Sequence, residues 1–186
     1  KAQSVSEVIV ATDDTRIVKV VNGFGGTAIM TSSSHESGTD RIAEVVQNKE
    51  CDIVVNVQGD EPLIPPENID RVVRPLLEDT LASTATLRIL IKTRKELMDR
   101  NITKVVVDSS NSALYFSKAP IPWNRDEWGD DLTLNSSFDP LKPFWYKHIG
   151  LYAYRKNFLM EFGGLPESGL EKMEKLEQLR ILEGGF

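Results

Sequence analysis

A chain of 186 residues is long enough to bury one sizeable core. Its 40% hydrophobic and 27% charged residues are an ordinary soluble-domain balance, and a net charge of −6 argues against a general nucleic-acid binder, which shows a basic stripe. Cys51 is the only cysteine and there are two histidines, so neither an intrachain disulfide nor a Cys/His zinc set is expected; no apolar run approaches the ~18 residues of a membrane span.

Glu7 to Thr12 reads as a buried strand, because Val8, Ile9, Val10 and Ala11 are continuously apolar. Asp13 or Asp14 then caps a helix carrying Ile17, Val18, Val20 and Val21, which Asn22-Gly23 and Gly25-Gly26 end. Thr27 to Thr31 is a second short strand. A polar loop from Ser32 to Thr39 precedes a helix with Ile42, Ala43, Val45 and Val46 on one side. Asp52 to Gln58 is another strand, and Pro65 and Pro66 open a helix with Ile69, Val72, Val73, Leu76 and Leu77 at helical spacing. Pro75 is expected to kink or tighten it. This alternation predicts a mostly parallel sheet covered on both faces, with ligands beyond the carboxyl ends of its strands. The polar segments after Thr12, Thr31 and Gln58 lie at that edge.

The second half is richer in strands: Ser83 to Ile91, Lys104 to Asp108, Ala113 to Lys118 and Trp145 to Arg155. In the last, Tyr146, His148, Gly150, Tyr152 and Tyr154 share one face by the two-residue period. Asn124 to Pro143 is polar, acidic and Pro/Gly-containing, which reads as a long mobile loop. Ser168-x-x-Glu171 is a capping box that starts a helix with Leu170, Met173, Leu176, Leu179 and Leu182 on its buried side.

Four constellations can carry chemistry. Gln58-Gly59-Asp60-Glu61-Pro62 follows a buried strand; Asp60 suits Mg²⁺, which takes one or two carboxylates plus substrate phosphates and water, and Gly59 lets a nucleotide approach the backbone. The plain alternative is that Asp60 and Glu61 only solvate a strand end. His35-Glu36-Ser37-Gly38-Thr39-Asp40-Arg41 lies at a helix N-terminus, where free N–H groups gather for a base and ribose; Ser37 and Thr39 are equally good N-caps, and Arg41 equally a solvated helix arginine. Ile121-Pro122-Trp123-Asn124-Arg125 either presents a guanidinium to a carboxylate or phosphate, or buries Trp123 and leaves Arg125 at the surface. Lys147-His148-Ile149-Gly150 and Glu177-Gln178-Leu179-Arg180 complete the set; a strand histidine is commonly structural, and Glu177 and Gln178 are expected to face solvent.

Taken in order, Ile9-Val-Ala-Thr-Asp13, Ser37-Gly-Thr-Asp-Arg41, Val55-Asn-Val-Gln-Gly-Asp-Glu-Pro62, Ala113-Leu-Tyr-Phe-Ser117 with Ile121-Pro-Trp123, His148-Ile-Gly-Leu-Tyr152 and Leu176-Glu-Gln-Leu-Arg180 resemble the 3-deoxy-manno-octulosonate (Kdo) cytidylyltransferases, the CMP-Kdo synthetases of lipopolysaccharide assembly. The resemblance runs over essentially the whole chain. It implies an α/β, three-layer, Rossmann-like nucleotide-diphospho-sugar transferase fold with a strand-rich dimerisation region. It also implies one nucleotidyltransferase domain: 1–108 for the nucleotide, 109–169 for sugar and dimer contacts, 170–186 as a helix returning to the site.

The implied partners are CTP and Kdo, with a homodimer formed through the region after about Ser109, no nucleic acid and no membrane. The implied cofactor is Mg²⁺, with Asp60 as ligand. Asp60 and Gln58 are the catalytic pair; Ser37, Gly38, Thr39, Arg41, Gln58 and Gly59 meet the nucleotide; Arg125, His148, Tyr152, Glu177 and Gln178 hold the sugar. A cytidylyltransferase for another acidic sugar, a sialic acid or a Kdo relative, is the nearest alternative. No signal-peptide pattern opens the sequence, so the cytoplasm is the expected compartment.

The chain departs from the family pattern at both ends. The family opens with Ile-Pro-Ala-Arg-x-x-Ser-x-Arg-Leu-Pro-Gly-Lys, whose cations cradle the CTP phosphates, and continues to Val-Asp-Thr-Pro-Glu-Asp, which supplies a second metal ligand; neither lies between Lys1 and Phe186. Residues 1–186 are therefore expected to be part of a longer protein, or else a non-catalytic piece that only dimerises.

Overall fold

The computed structural model describes residues 2–35, 37–128 and 144–186. They divide into two compact units: Lys1–Leu87 with Gly150–Leu165, and Arg88–Ile149 with Pro166–Phe186.

In the first unit, strand β1 (Ile9–Thr12) pairs in parallel with β2 (Thr27–Met30), Ile9 opposite Thr27. Helix α1 (Thr15–Gly23) connects them. Its N-cap is Asp14, whose carboxylate accepts the Arg16 N–H at 2.8 Å. Two glycines close it for distinct reasons. Gly25 adopts φ +80, and a Cβ on Gly26 would lie 2.7 Å from the Phe24 ring and 2.8 Å from Val21. Helix α2 (Gly38–Val46) is capped by Ser37, and β3 (Ile53–Asn56) follows. Helix α3 (Pro66–Glu78) starts on proline, which lacks the N–H that a first turn cannot use. Pro75 lies within it, one turn from its end. Val72, Val73 and Leu76 are buried, whereas Leu77 points away, 68% exposed.

Strand β4 (Thr84–Leu90) and the ten-residue β7 (Tyr146–Arg155) each begin in one unit and end in the other. In the first unit β3 pairs antiparallel with β7, Ile53 opposite Arg155 and Asn56 opposite Tyr152. Thr84 and Thr86 donate their hydroxyls to Ala153 O and Leu151 O. The Arg155 guanidinium donates to Ala82 O, Leu76 O and Asp79 O, fastening the end of α3. Helix α6 (Lys156–Phe162) buries Phe158, Leu159 and Phe162; the sequence reading placed no helix there.

The second unit holds α4 (Arg94–Met98), β5 (Lys104–Val107), β6 (Ala113–Ser117), a helical turn α5 (Arg125–Trp128), α7 (Gly169–Glu174) and α8 (Gln178–Glu183). β5 pairs antiparallel with both β6 and β7, so that Lys104 stands opposite Ser117 on one side and Lys147 on the other. One core cluster is Val105, Phe116, Leu176 and Leu179; another is Ile91, Leu97, Trp128 and Trp145.

The α/β class expected from the alternating pattern is the observed one, but the expected mostly parallel sheet is mixed: β1–β2 is parallel, whereas β3–β7, β5–β6 and β5–β7 are antiparallel because β7 runs between β3 and β5. Two further expectations need correction. The single C-terminal helix is two helices, because Lys175 adopts the left-handed conformation at φ 56 and stops α7. The turn lets the Glu171 carboxylate receive both Arg180 Nε at 2.8 Å and Nη2 at 2.6 Å, and it leaves Met173 84% exposed instead of buried. The capping box is present, with Ser168 and Glu171 bonded reciprocally. The start of the expected mobile loop forms α5, where Trp128 N–H reaches Asn124 O at 3.0 Å; residues 129–143 lie outside the described residues. Among the described residues no helix is long and apolar enough to cross a membrane.

Candidate active site

Polar residues are buried at three strand ends of the first unit: Thr12 closes β1, Thr31 follows β2, and Asn56 closes β3. Buried polar groups require partners. Thr31 N–H donates to Thr12 O at 2.9 Å, and Thr12 Oγ1 accepts Asp14 N–H at 3.1 Å. From α2, Arg41 donates Nη1 to Thr31 Oγ1 at 2.6 Å and Nη2 to Asp13 Oδ2 at 3.0 Å. Arg41 is thus no solvated helix arginine. It ties the ends of β1 and β2 to the helix that faces them.

The Ser37 hydroxyl accepts Asp40 N–H at 3.0 Å and donates to Asp40 Oδ2 at 2.9 Å, so it is engaged as the N-cap. Thr39 is buried, and Gly38 opens the helix beside Gln58: a Cβ there would stand 3.9 Å from Gln58 Oε1. Of the residues that the resemblance assigns to the nucleotide, Ser37, Gly38, Thr39, Arg41 and Gln58 are therefore brought together. Gln58, Gly59, Asp60 and Glu61 are exposed in a turn closed by Glu61 N–H to Gln58 O at 3.1 Å, and a Cβ on Gly59 would meet nothing within 4 Å. Glu44 supports the preceding turn. Its carboxylate accepts Ser32 N–H at 3.0 Å and pairs with His35 Nε2, and these bonds, His35 first, hold its pKa below the ordinary value.

Among the described residues no group of three or more His, Cys, Asp or Glu side chains is placed to hold a metal ion. Asp60 offers one exposed hard carboxylate. That donor suits Mg²⁺, which dehydrates reluctantly and draws its other ligands from water and substrate phosphates.

In the second unit Arg125 is exposed at the start of α5. Trp123 is not buried but 47% exposed, edge-on to Trp128 with centroids 5.3 Å apart. The tryptophans buried there are Trp128 and Trp145, stacked at 5.2 Å and 12°, and Trp145 Nε1–H holds Pro122 O at 3.0 Å. The Ile121–Pro122 bond is cis. His148 lies edge-on to Phe116 at 5.1 Å, and burial pushes its pKa down to about 4, which leaves it neutral near pH 7. Gln178, expected to face solvent, is buried at the start of α8, with Glu177 as the preceding cap. Tyr152 belongs to the first unit and stacks on Tyr154 at 5.8 Å. Asp13, Thr31 and Glu44 were not among the residues singled out as site residues; their only sequence signal is a polar group just beyond a strand or on the turn of α2 facing a loop.

In an α/β frame the strand ends where these polar side chains gather are where ligands bind, and the comparisons define the class. The chain belongs to the cytidylyltransferase family, whose model matches residues 1–185. Its relatives narrow this further. A 3-deoxy-manno-octulosonate cytidylyltransferase of Geotalea uraniireducens (strain Rf4) is 52% identical over 186 residues, covering 100% of this chain and 73% of that protein. The same-named enzyme of Geobacter sulfurreducens (strain ATCC 51573 / DSM 12127 / PCA) is 51% identical over 185 residues, with 100% and 73% covered. The solved structure of CMP:2-keto-3-deoxy-manno-octonic acid synthetase complexed with CTP matches at a TM-score of 0.88 and 42% identity, over 100% of this chain and 71% of that one. The family resemblance read from the ordered motifs is the one these comparisons find.

Proposed function

We propose that this chain activates Kdo with CTP, giving CMP-Kdo and pyrophosphate. The observation that carries the reading is the joined strand-end site of the first unit, Gly38 and Gln58 beside the Arg41 tether, in a chain that relatives of this one named activity cover from end to end. In the reaction the anomeric hydroxyl oxygen of Kdo bonds to the α-phosphorus of CTP, the bond from that phosphorus to the pyrophosphate oxygen breaks, and the hydroxyl proton is released. Such transfers ask the protein mainly for positioning and charge neutralisation.

The α2 N-terminus with Ser37, Gly38 and Thr39 supplies backbone donors to the nucleotide, and Gln58 and Gly59 lie against it. Arg41 shapes this wall from behind, since its guanidinium is already bonded to Asp13 and Thr31. Asp60 would hold Mg²⁺, which when bound neutralises phosphate charge. For the sugar, Arg125 brings the permanent positive charge that a carboxylate needs. His148, neutral near pH 7, suits a hydroxyl better than the carboxylate. Tyr152, Glu177 and Gln178 supply further hydroxyl partners. The same reading makes the protein a cytoplasmic homodimer acting in lipopolysaccharide assembly.

The test is pyrophosphate release from CTP and Mg²⁺ by the full-length protein, offered Kdo, an eight-carbon Kdo relative and a sialic acid. Kdo is expected to give the highest kcat/KM. Faster turnover of another sugar would replace Kdo as substrate, and no turnover of any would overturn the reading.

A further inference from the structure

The second unit contains a charged knot that the proposed chemistry does not use. Lys104, at the start of β5, is fully buried, and burial holds its ammonium below the usual lysine range. Its Nζ donates to three backbone carbonyls: Asp99 O at 2.8 Å, Ile102 O at 2.6 Å and Lys118 O at 2.7 Å. Glu174, the last residue of α7, meets the same corner. It accepts the Ser117 hydroxyl at 2.6 Å and Lys118 N–H at 2.9 Å. Ser117 Oγ in turn accepts Ala119 N–H at 3.0 Å. The carbonyl and the amide of one residue, Lys118, are therefore each held by a side chain, Lys104 Nζ on one and the Glu174 carboxyl on the other.

The chain positions around this knot give it a purpose. The Ser117–Ala119 corner leads directly to Pro122, Trp123 and Arg125. Glu174 is followed at once by the left-handed Lys175 and then by Glu177 and Gln178. Lys104 pairs with Lys147, and Thr103 O accepts the His148 N–H at 2.9 Å. Three segments that the reading above assigns to the sugar thus leave from one fixed point.

We propose that Glu174 and Lys104 are positioning residues for the sugar acid: they clamp Lys118 so that the segment bearing Arg125 and the turn bearing Glu177 and Gln178 keep one spacing. This rests on the proposed function, and it is distinct from a purely structural role in what it predicts. A structural defect lowers the active fraction and with it kcat, leaving both KM values alone. Loss of positioning raises the KM for the sugar and spares the KM for CTP.

The experiment is steady-state kinetics of the full-length protein with CTP and Kdo, for wild type, Glu174→Ala, Glu174→Gln and Ser117→Ala, each with a thermal melt. Glu174→Ala is expected to raise the sugar KM about 10-fold or more and the CTP KM less than about twofold, since small misplacements of binding groups are costly. Glu174→Gln should restore most of the affinity, because an amide can accept from Lys118 N–H and donate to Ser117 Oγ. Ser117→Ala, which loses the bonds to Glu174 and from Ala119 N–H but keeps the one from Lys118 N–H to Glu174, should raise the sugar KM about threefold. Should Glu174→Ala not fold, Ser117→Ala decides alone. An unchanged sugar KM, or equal rises for both substrates, overturns the inference in a protein whose wild type turns over Kdo normally. A wild type inactive on Kdo overturns the proposed function and this inference with it.

Discussion

Acid should destabilise this protein through His148. Burial lowers its pKa from 6.5 to about 4 in the folded chain, where it lies against the edge of Phe116. Above pH 6.5 both folded and unfolded states carry the neutral ring, and the residue contributes no pH dependence. Below 6.5 the unfolded chain binds a proton that the folded chain refuses, so stability falls as pH falls. The loss reaches about 1.4 kcal/mol at pH 5.5 and about 3 kcal/mol at pH 4, where the folded ring is half protonated and the slope is flattening. Urea unfolding of wild type and His148→Phe between pH 7.5 and 4 measures it. Any fixed cost of the larger ring cancels, because only the change with pH is compared. The wild type should lose about 3 kcal/mol relative to the variant across that range. A constant difference between the two proteins would refute a half-buried His148 held neutral.

Two further predictions follow from the site and its frame. Asp60→Asn should lower kcat/KM by about 100-fold or more if the carboxylate holds Mg²⁺; because Asp60 is exposed, the melting temperature should stay unchanged, and near-normal turnover at low Mg²⁺ would remove it from the site. Arg180→Met leaves the buried Glu171 carboxylate without its guanidinium and should cost about 3 kcal/mol in urea unfolding. Glu171→Met combined with Arg180→Met should recover much of that, and additive losses would show that the pair is not coupled.

The local elements were readable because their determinants are local. Asp14 and Ser37 cap helices with their own side chains, Gly25 and Gly26 close α1 for steric reasons, and Ser168 with Glu171 forms a box within four residues. The strand pairing was less so. β3 finds its partner in β7, far along the chain, and no nearby pattern announces an antiparallel match. Helix α6 went unseen because Phe158, Leu159 and Phe162 follow a strand without a break, Arg155 ending one element and Lys156 starting the next. Leucine spacing suggested one helix from Leu170 to Leu182, yet a single left-handed residue, Lys175, overrides a periodicity of that length.

Site residues divided in the same way. The Gln58–Asp60 turn stood out because it follows an apolar strand. Arg41 was legible as a candidate, but its bonding to Asp13 and Thr31 depends on the packing of α2 against the strand ends. Lys104 carried no signal at all: a lysine opening a short strand is ordinary, and only its three carbonyl partners set it apart.

The tryptophan stack has an optical consequence. Trp123, Trp128 and Trp145 are the three indoles of the chain, and they sit within one run of ring contacts beside Arg125. Emission excited at the red edge of the protein spectrum therefore originates from that one patch. The chain carries a built-in fluorophore for the segment assigned to the sugar carboxylate, with half-exposed Trp123 as its solvent-sensitive member, and a titration can be followed there without attaching a dye.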